Sequence, residues 1–141
     1  MTAAEASRER AERSKPSRKT DRARETGAAL EGHYRFILWL VPTLEKFPRA
    51  QRFLLGDRIQ RTALDVLESL IEATYTRQRR THLVRANLGI EKLRFLIRLA
   101  HDLRHLDGRR YEFAARSLDE TGRRIGAWMK AHRARQSPRP V

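Results

Sequence analysis

The sequence contains no cysteine, which removes a disulfide scaffold, a thiolate nucleophile and any cysteine-based zinc site from consideration. It has no long hydrophobic run. The most apolar stretch, FILWLV at 36–41, is far shorter than the roughly 20 residues that cross a bilayer. The N-terminus lacks an apolar signal core, so the expectation is a soluble, cytoplasmic protein with no membrane partner. Glycine and proline are sparse, at 7 and 5 of 141 residues, leaving few places where the chain must turn. Period-two alternation is absent, which excludes a sheet protein.

Acidic residues are also in short supply, with 17 Asp+Glu against 31 Lys+Arg and a formal net charge of +14. A field of that size draws nucleic acid, anionic lipid or an acidic protein. Lysine is confined to Lys15, Lys19, Lys46, Lys92 and Lys130. The remaining cations are guanidinium groups, which suit bidentate contacts with phosphate and stacking on bases.

Residues 1–27 contain no Val, Ile, Leu, Phe, Trp or Tyr; they cannot bury enough surface to offset ordering entropy and read as a disordered charged arm. Residues 136–141, QSPRPV, read as a disordered tail. Between them, 28–135 forms one domain with four stripes of apolar residues at helical spacing. The first is Leu30, Tyr34, Ile37, Val41, Leu44. The second is Gly56, Ile59, Ala63, Val66, Leu70, widened by Leu67, Ile71 and Thr74. The third is Leu83, Ala86, Ile90, Leu93, Ile97, Ala100, and the fourth is Tyr111, Ala114, Leu118, Thr121, Ile125, Trp128.

Pro48 places a turn at Phe47-Pro48, while Thr81 and Asp107 are N-cap candidates for the third and fourth helices. Pro42 predicts a bend in the first helix. Gly122 and Gly126, one turn apart, predict a tight helix crossing. Short connections imply antiparallel neighbours, and the fold class expected is an all-α, up-down-up-down four-helix bundle.

The third helix has more apolar surface than one bundle can cover. Val84, Leu88, Phe95 and Leu99 lie roughly opposite its core stripe. A helix apolar on both faces is normally buried on both, so this second face predicts an interface with another copy of the chain; the alternative is a thick monomer with this helix at its centre.

Charge is unevenly spread. Residues 28–76 hold six basic and six acidic groups, whereas 77–141 hold seventeen basic and six acidic. Asp57–Arg61, Glu112–Arg116, Asp119–Arg123 and Glu120–Arg124 have the spacing of helical ion pairs. Without an acid at that spacing are Arg77, Arg79, Arg80 and Arg85 at the second turn and Lys130, Arg133 and Arg135 at the end of the last helix. In such a bundle these share one end; Lys46, Arg49, Arg52, Arg104, Arg109 and Arg110 share the other. Two cationic rims are expected, suited to a polyanion.

Catalytic signals are weak. HDLRH at 101–105 has two histidines at i and i+4, as in zinc-protease helices, but Asp102 stands where the glutamate base belongs, and His132 is the one remaining third ligand to name. Glu-x-x-His, a phosphate-cradling glycine loop and G-x-S-x-G are missing. No cofactor and no catalytic residue are expected.

Three stretches, KFPRAQRFLLGDRIQ at 46–60, RANLGIEKLRFLIRLAHDLRHL at 85–106 and RRYEFAARSLDETGRRIGAWMK at 109–130, resemble the accessory variability determinants of diversity-generating retroelements. The similarity covers about residues 30–133 and is most specific in FPRAQRF and GRRIGAWMK. A related group, the four-helix proteins encoded in intervening sequences of bacterial 23S rRNA genes, is a weaker match. The resemblance implies a barrel-like homopentamer of four-helix bundles, non-catalytic, whose basic surface contacts the reverse transcriptase and RNA or DNA. The alternative is a self-assembling bundle that binds an acidic protein partner, without a nucleic-acid role.

Overall fold

The computed structural model describes residues 2–5 and 18–136. Among these there is no strand, and four long helices carry the architecture: α1 (Arg18–Leu44), α2 (Asp57–Tyr75), α3 (Arg79–Asp102) and α4 (Gly108–Gln136). α1 begins upstream of the boundary at residue 28 drawn from composition. Extending a helix already anchored by packing needs no new nucleus, and Arg, Lys, Ala and Glu are good helix formers. Residues 1 and 6–17 of the charged arm, and 137–141 of the tail, lie outside the described residues.

The helices form a ring of neighbours around one core, α1 touching α2 and α4, and α3 touching α2 and α4. The third stripe is buried in full, Leu83, Ala86, Ile90, Leu93, Ile97 and Ala100 all being at most 1% exposed. Ile59, Ala63, Val66 and Leu70 of α2, and Ala114, Leu118, Thr121, Ile125 and Trp128 of α4, face the same core. The first stripe is displaced. α1 buries Ala29, His33, Phe36, Leu40 and Leu44, and turns Tyr34 outward at 48% exposure. Both sets fit the three-four spacing. The row that buries Phe36 wins because its one polar member, His33, finds a partner: its Nε2–H donates to the Ala63 carbonyl at 2.8 Å, tying α1 to α2.

Turn chemistry sets the ends of the helices. Pro48 flanks the short helical turn Arg49–Gln51, its carbonyl accepting from the Gln51 and Arg52 amides at 2.8 and 3.0 Å. A π-helical turn, Arg52–Gly56, follows and runs into α2, a feature the hydrophobic spacing did not signal. Asp107 caps α4 as expected, its Oδ1 accepting the Arg110 amide at 2.8 Å. Thr81 does not cap α3, which begins earlier, at Arg79, with Gln78 flanking it and no side-chain cap. Pro42 falls in the final turn of α1, where it deprives the Leu38 carbonyl of its helical donor two residues before the helix ends at Leu44.

Glycines mark close approaches selectively. A Cβ on Gly89 of α3 would collide with Val66 Cγ2 of α2, and one on Gly122 of α4 would sit 2.9 Å from the Arg94 guanidinium of α3. Gly126 faces open space, so the tight crossing expected of the Gly122/Gly126 pair involves only Gly122.

Gly89→Ala is expected to destabilise the protein by about 1–3 kcal/mol through overpacking, and Gly126→Ala to stabilise it by about 0.4–1 kcal/mol; urea melts of both variants measure the difference. Burial pushes the His33 imidazole below its ordinary value, only partly opposed by its bond to Ala63. The unfolded chain therefore takes up a proton near pH 6.5 while the folded chain resists it. The His33 contribution is complete above that pH and fades as pH falls through the lowered folded value. His33→Gln keeps a donor for Ala63 and removes the titration. Its melting temperature should fall less than that of the wild type between about pH 7 and about pH 5.

Candidate nucleic-acid interface

One end of the bundle gathers the turn at residues 76–78, the start of α3 and the last turns of α4. Arg79 connects them. Its Nε donates to the Ala73 carbonyl at 3.0 Å, satisfying an orphan acceptor at the end of α2, and its guanidinium lies 5.8 Å from the Trp128 ring centroid. A cation–π contact of this kind contributes about 0.5–1 kcal/mol. His132 is held below its ordinary value first by burial and then by the positive charge of Arg79, Arg135 and Arg80. The α2–α3 turn and the end of α4 thus share one cationic cluster.

Within that cluster the arginines differ in role. Arg77, Arg80 and Lys130 are exposed and make no ion pair or side-chain hydrogen bond among the described residues. Arg85, one turn further along α3, is exposed beside the groove between α2 and α3. Arg79 is half-buried and engaged, so its first task is to fasten the turn. Arg133 and Arg135 sit in the last turn of α4, where the helix dipole favours cations; the Arg135 Nε also donates to the Ala131 carbonyl at 3.2 Å.

The other end joins residues 45–48 to residues 103–107 through Phe47 and His105, whose rings lie 5.8 Å apart. Given the 24 residues of α3, the two ends are about 36 Å apart at 1.5 Å per residue. Lys46, Arg49, Arg52, Arg104 and Arg109 are exposed here. Arg110 is not available in the same way, because its Nη1 donates to Asp107 Oδ2 at 2.6 Å; an acid three residues earlier holds it, a spacing outside the (i, i+4) pattern. Asp107 is in turn held below the usual carboxylate range by the Arg110 amide and then by the nearby guanidinium charges.

Arg104 closes α3 in a left-handed conformation, φ 63°. The Arg104 amide bonds the His101 carbonyl and the His105 amide the Ala100 carbonyl, each at 2.9 Å, the paired closure of a Schellman turn. Glycine is the usual occupant of that position because it has no Cβ to clash.

Two of the four helical ion pairs expected from spacing form, Glu112–Arg116 and Glu120–Arg124. Asp119 reaches instead across to Arg94 of α3, and Asp57 and Arg61 do not pair. The HDLRH histidines do not share a helix face, because α3 ends at Asp102. His101 stacks on Tyr111 at 4.5 Å and His105 packs on Phe47, while His132 lies at the far cationic end. Among the described residues no three His, Asp or Glu side chains converge as metal ligands.

The outer face of α3 carries the second stripe in the open. Val84 is 47%, Leu88 54%, Phe95 67% and Leu99 46% exposed. Missed in the sequence was a second apolar face, on α1 and α2, where Tyr34, Leu38, Leu64 and Ile71 are 38–59% exposed. Its signal was the surplus of apolar residues in the first two helices, beyond what their core rows need.

A ring of long helices around one core, with apolar outer faces and clustered cations, defines an all-α helical bundle. A family model described as bAvd-like matches residues 29–132, most of the chain, and the protein belongs to that family. No curated protein matches it. No helix among the described residues is long and apolar enough to cross a membrane.

Arg104→Gly should relieve the left-handed strain and stabilise the fold by about 1 kcal/mol, read as a rise in the thermal midpoint, while removing one cation from this end.

Proposed function

We propose that the protein is a non-catalytic accessory subunit of a diversity-generating retroelement. It binds the reverse transcriptase and the template RNA or its cDNA through the basic surface of a homo-oligomer, supporting mutagenic cDNA synthesis in the cytoplasm. Membership of the bAvd-like family supports the role. The assembly this reading requires is a pentameric barrel of up-down-up-down bundles, and the ring of helix neighbours with short connections is consistent with that order.

The observation that carries the nucleic-acid part is the cluster at the α2–α3 end. Arg77, Arg80 and Lys130 stand exposed, without acidic partners among the described residues, beside a turn that Arg79 and Trp128 hold rigid. Preorganised, unneutralised cations bind phosphates with little reordering and release condensed counterions. Repetition of the cluster in an oligomer multiplies the sites available to one strand. Arg85, Arg104 and Arg109 extend the basic surface; Arg79, Arg110 and Arg133 contribute field while serving the fold, in the case of Arg79 and Arg110 through the bonds described above. The α3 stripe, Val84, Leu88, Phe95 and Leu99, is the self-association face.

The test is RNA binding by the triple variant Arg77→Ala, Arg80→Ala, Arg85→Ala, with Arg79 retained because it fastens the turn. Affinity should fall at least about tenfold, and the slope of log affinity against log salt should flatten by about 0.7 for each phosphate that is no longer neutralised. Helicity and sedimentation should be unchanged. RNA affinity equal to that of the wild type would refute the assignment of this end. Retained reverse-transcriptase binding without salt-sensitive RNA binding would favour an acidic protein partner instead.

A further inference from the structure

Two corners of the chain meet at the end of the bundle where Phe47 packs on His105. The register of α2 against α3 is fixed by two contacts, Gly89 against Val66 and His82 Nδ1 to Glu72 Oε2 at 2.9 Å. Carried along the antiparallel pair, it sets residues 53 and 54 level with the end of α3, next to Leu103. Phe53 and Leu54, in the π turn, are 68% and 69% exposed, and Leu103 is 50% exposed. They form an apolar knob.

Around the knob, Lys46, Arg49, Arg52 and Arg104 are exposed and form no ion pair among the described residues. Glu45 and Asp57 are unpaired here as well, whereas Asp102 and Asp107 are taken up by Arg98 and Arg110, so free cations still outnumber free acids. Arg104 also keeps its left-handed conformation, φ 63°, where glycine would sit without strain. π turns and strained non-glycine residues both cluster at functional sites.

We infer that this end is a tip that docks on an anionic lipid surface: Phe53, Leu54 and Leu103 enter the head-group layer while the surrounding Lys and Arg side chains meet lipid phosphates. The expectation of no membrane partner rests on the length of apolar run needed to cross a bilayer; resting on one requires only exposed apolar side chains among cations. A strand of nucleic acid would satisfy the cations and stack on Phe53, yet it would leave Leu54 and Leu103 in water, since aliphatic side chains offer a base no stacking face. An acidic protein segment is best held in a groove, and side chains two-thirds exposed on a corner project instead of lining one. A ring whose helices run along its axis presents the same end of every copy on one side. Several tips then share a plane, and a bilayer engages them together. That multiplicity rests on the self-association in the proposed function; the single tip does not. Docking in this way points Arg77, Arg80 and Lys130, at the opposite end, away from the lipid.

The test is flotation of the full chain with phosphatidylcholine vesicles, with and without phosphatidylglycerol. The wild type should float only when phosphatidylglycerol is present, and less as salt rises. The double variant Phe53→Ser, Leu54→Ser should weaken this binding at least about tenfold and leave helicity, sedimentation and RNA binding as in the wild type. Arg104→Gly, which should be the more stable protein, should weaken it about fivefold, so that lost binding is not lost folding. Phe53→Trp should be quenched by brominated acyl chains more strongly than the native Trp39 and Trp128 are. A wild type that ignores phosphatidylglycerol vesicles, or tip variants that float as the wild type does, would overturn the inference. So would a double variant that no longer assembles, which assigns Phe53 and Leu54 to contacts between copies, or one that loses RNA but keeps lipid. A wild type that floats but binds no RNA would sink the nucleic-acid part of the proposed function and leave the tip standing.

Discussion

α3 cannot hide both of its apolar rows inside one ring of four helices, and that constraint orders the rest of the molecule. Burying Leu83, Ala86, Ile90, Leu93, Ile97 and Ala100 against α2 and α4 leaves Val84, Leu88, Phe95 and Leu99 in water. Close approach of α2 to α3 at Gly89 removes any slack by which the helix could rotate to share its exposure. Four large apolar side chains therefore stand exposed in a row along the outside of α3. The helix chosen for burial thus also fixes what the outside of the molecule is made of.

The cationic ends depend on the same framework. Short connections return the chain at each end, so side chains distant in sequence meet there: Arg79 with Trp128, and Phe47 with His105. Guanidinium groups that fasten the turns lie beside others that have no acid to satisfy them. An end built in this way combines an anchored turn with an exposed, strongly positive surface. α1 and α2 contribute little to that field, because from residue 28 onward their positive and negative charges balance. The division of the molecule into a neutral half and a basic half follows the helix pairs.

How far the sequence disclosed this depended on the range of the interactions. The buried rows of α3 and α4 were legible residue by residue, because each runs unbroken at three-four spacing along most of its helix. α1 was ambiguous by one residue: Leu30-Tyr34-Ile37 and Ala29-His33-Phe36 have the same spacing, and only the distant Ala63 carbonyl makes His33 the buried choice. Asp107 as a cap and the exposed α3 ridge could be read locally. Arg79, Arg94 and Asp119 could not, since their partners lie on other helices.

The π turn at Arg52–Gly56 gives the bundle an expansion joint. Its wider loops hold one residue more than an α-helix would place in the same rise, and they do so between a proline corner and the buried Gly56. Slack of that sort uncouples the two sides of the corner. The length of the α1–α2 connection can drift by a residue and be absorbed before Ile59, leaving the downstream register, and with it every other helix packing, where it was.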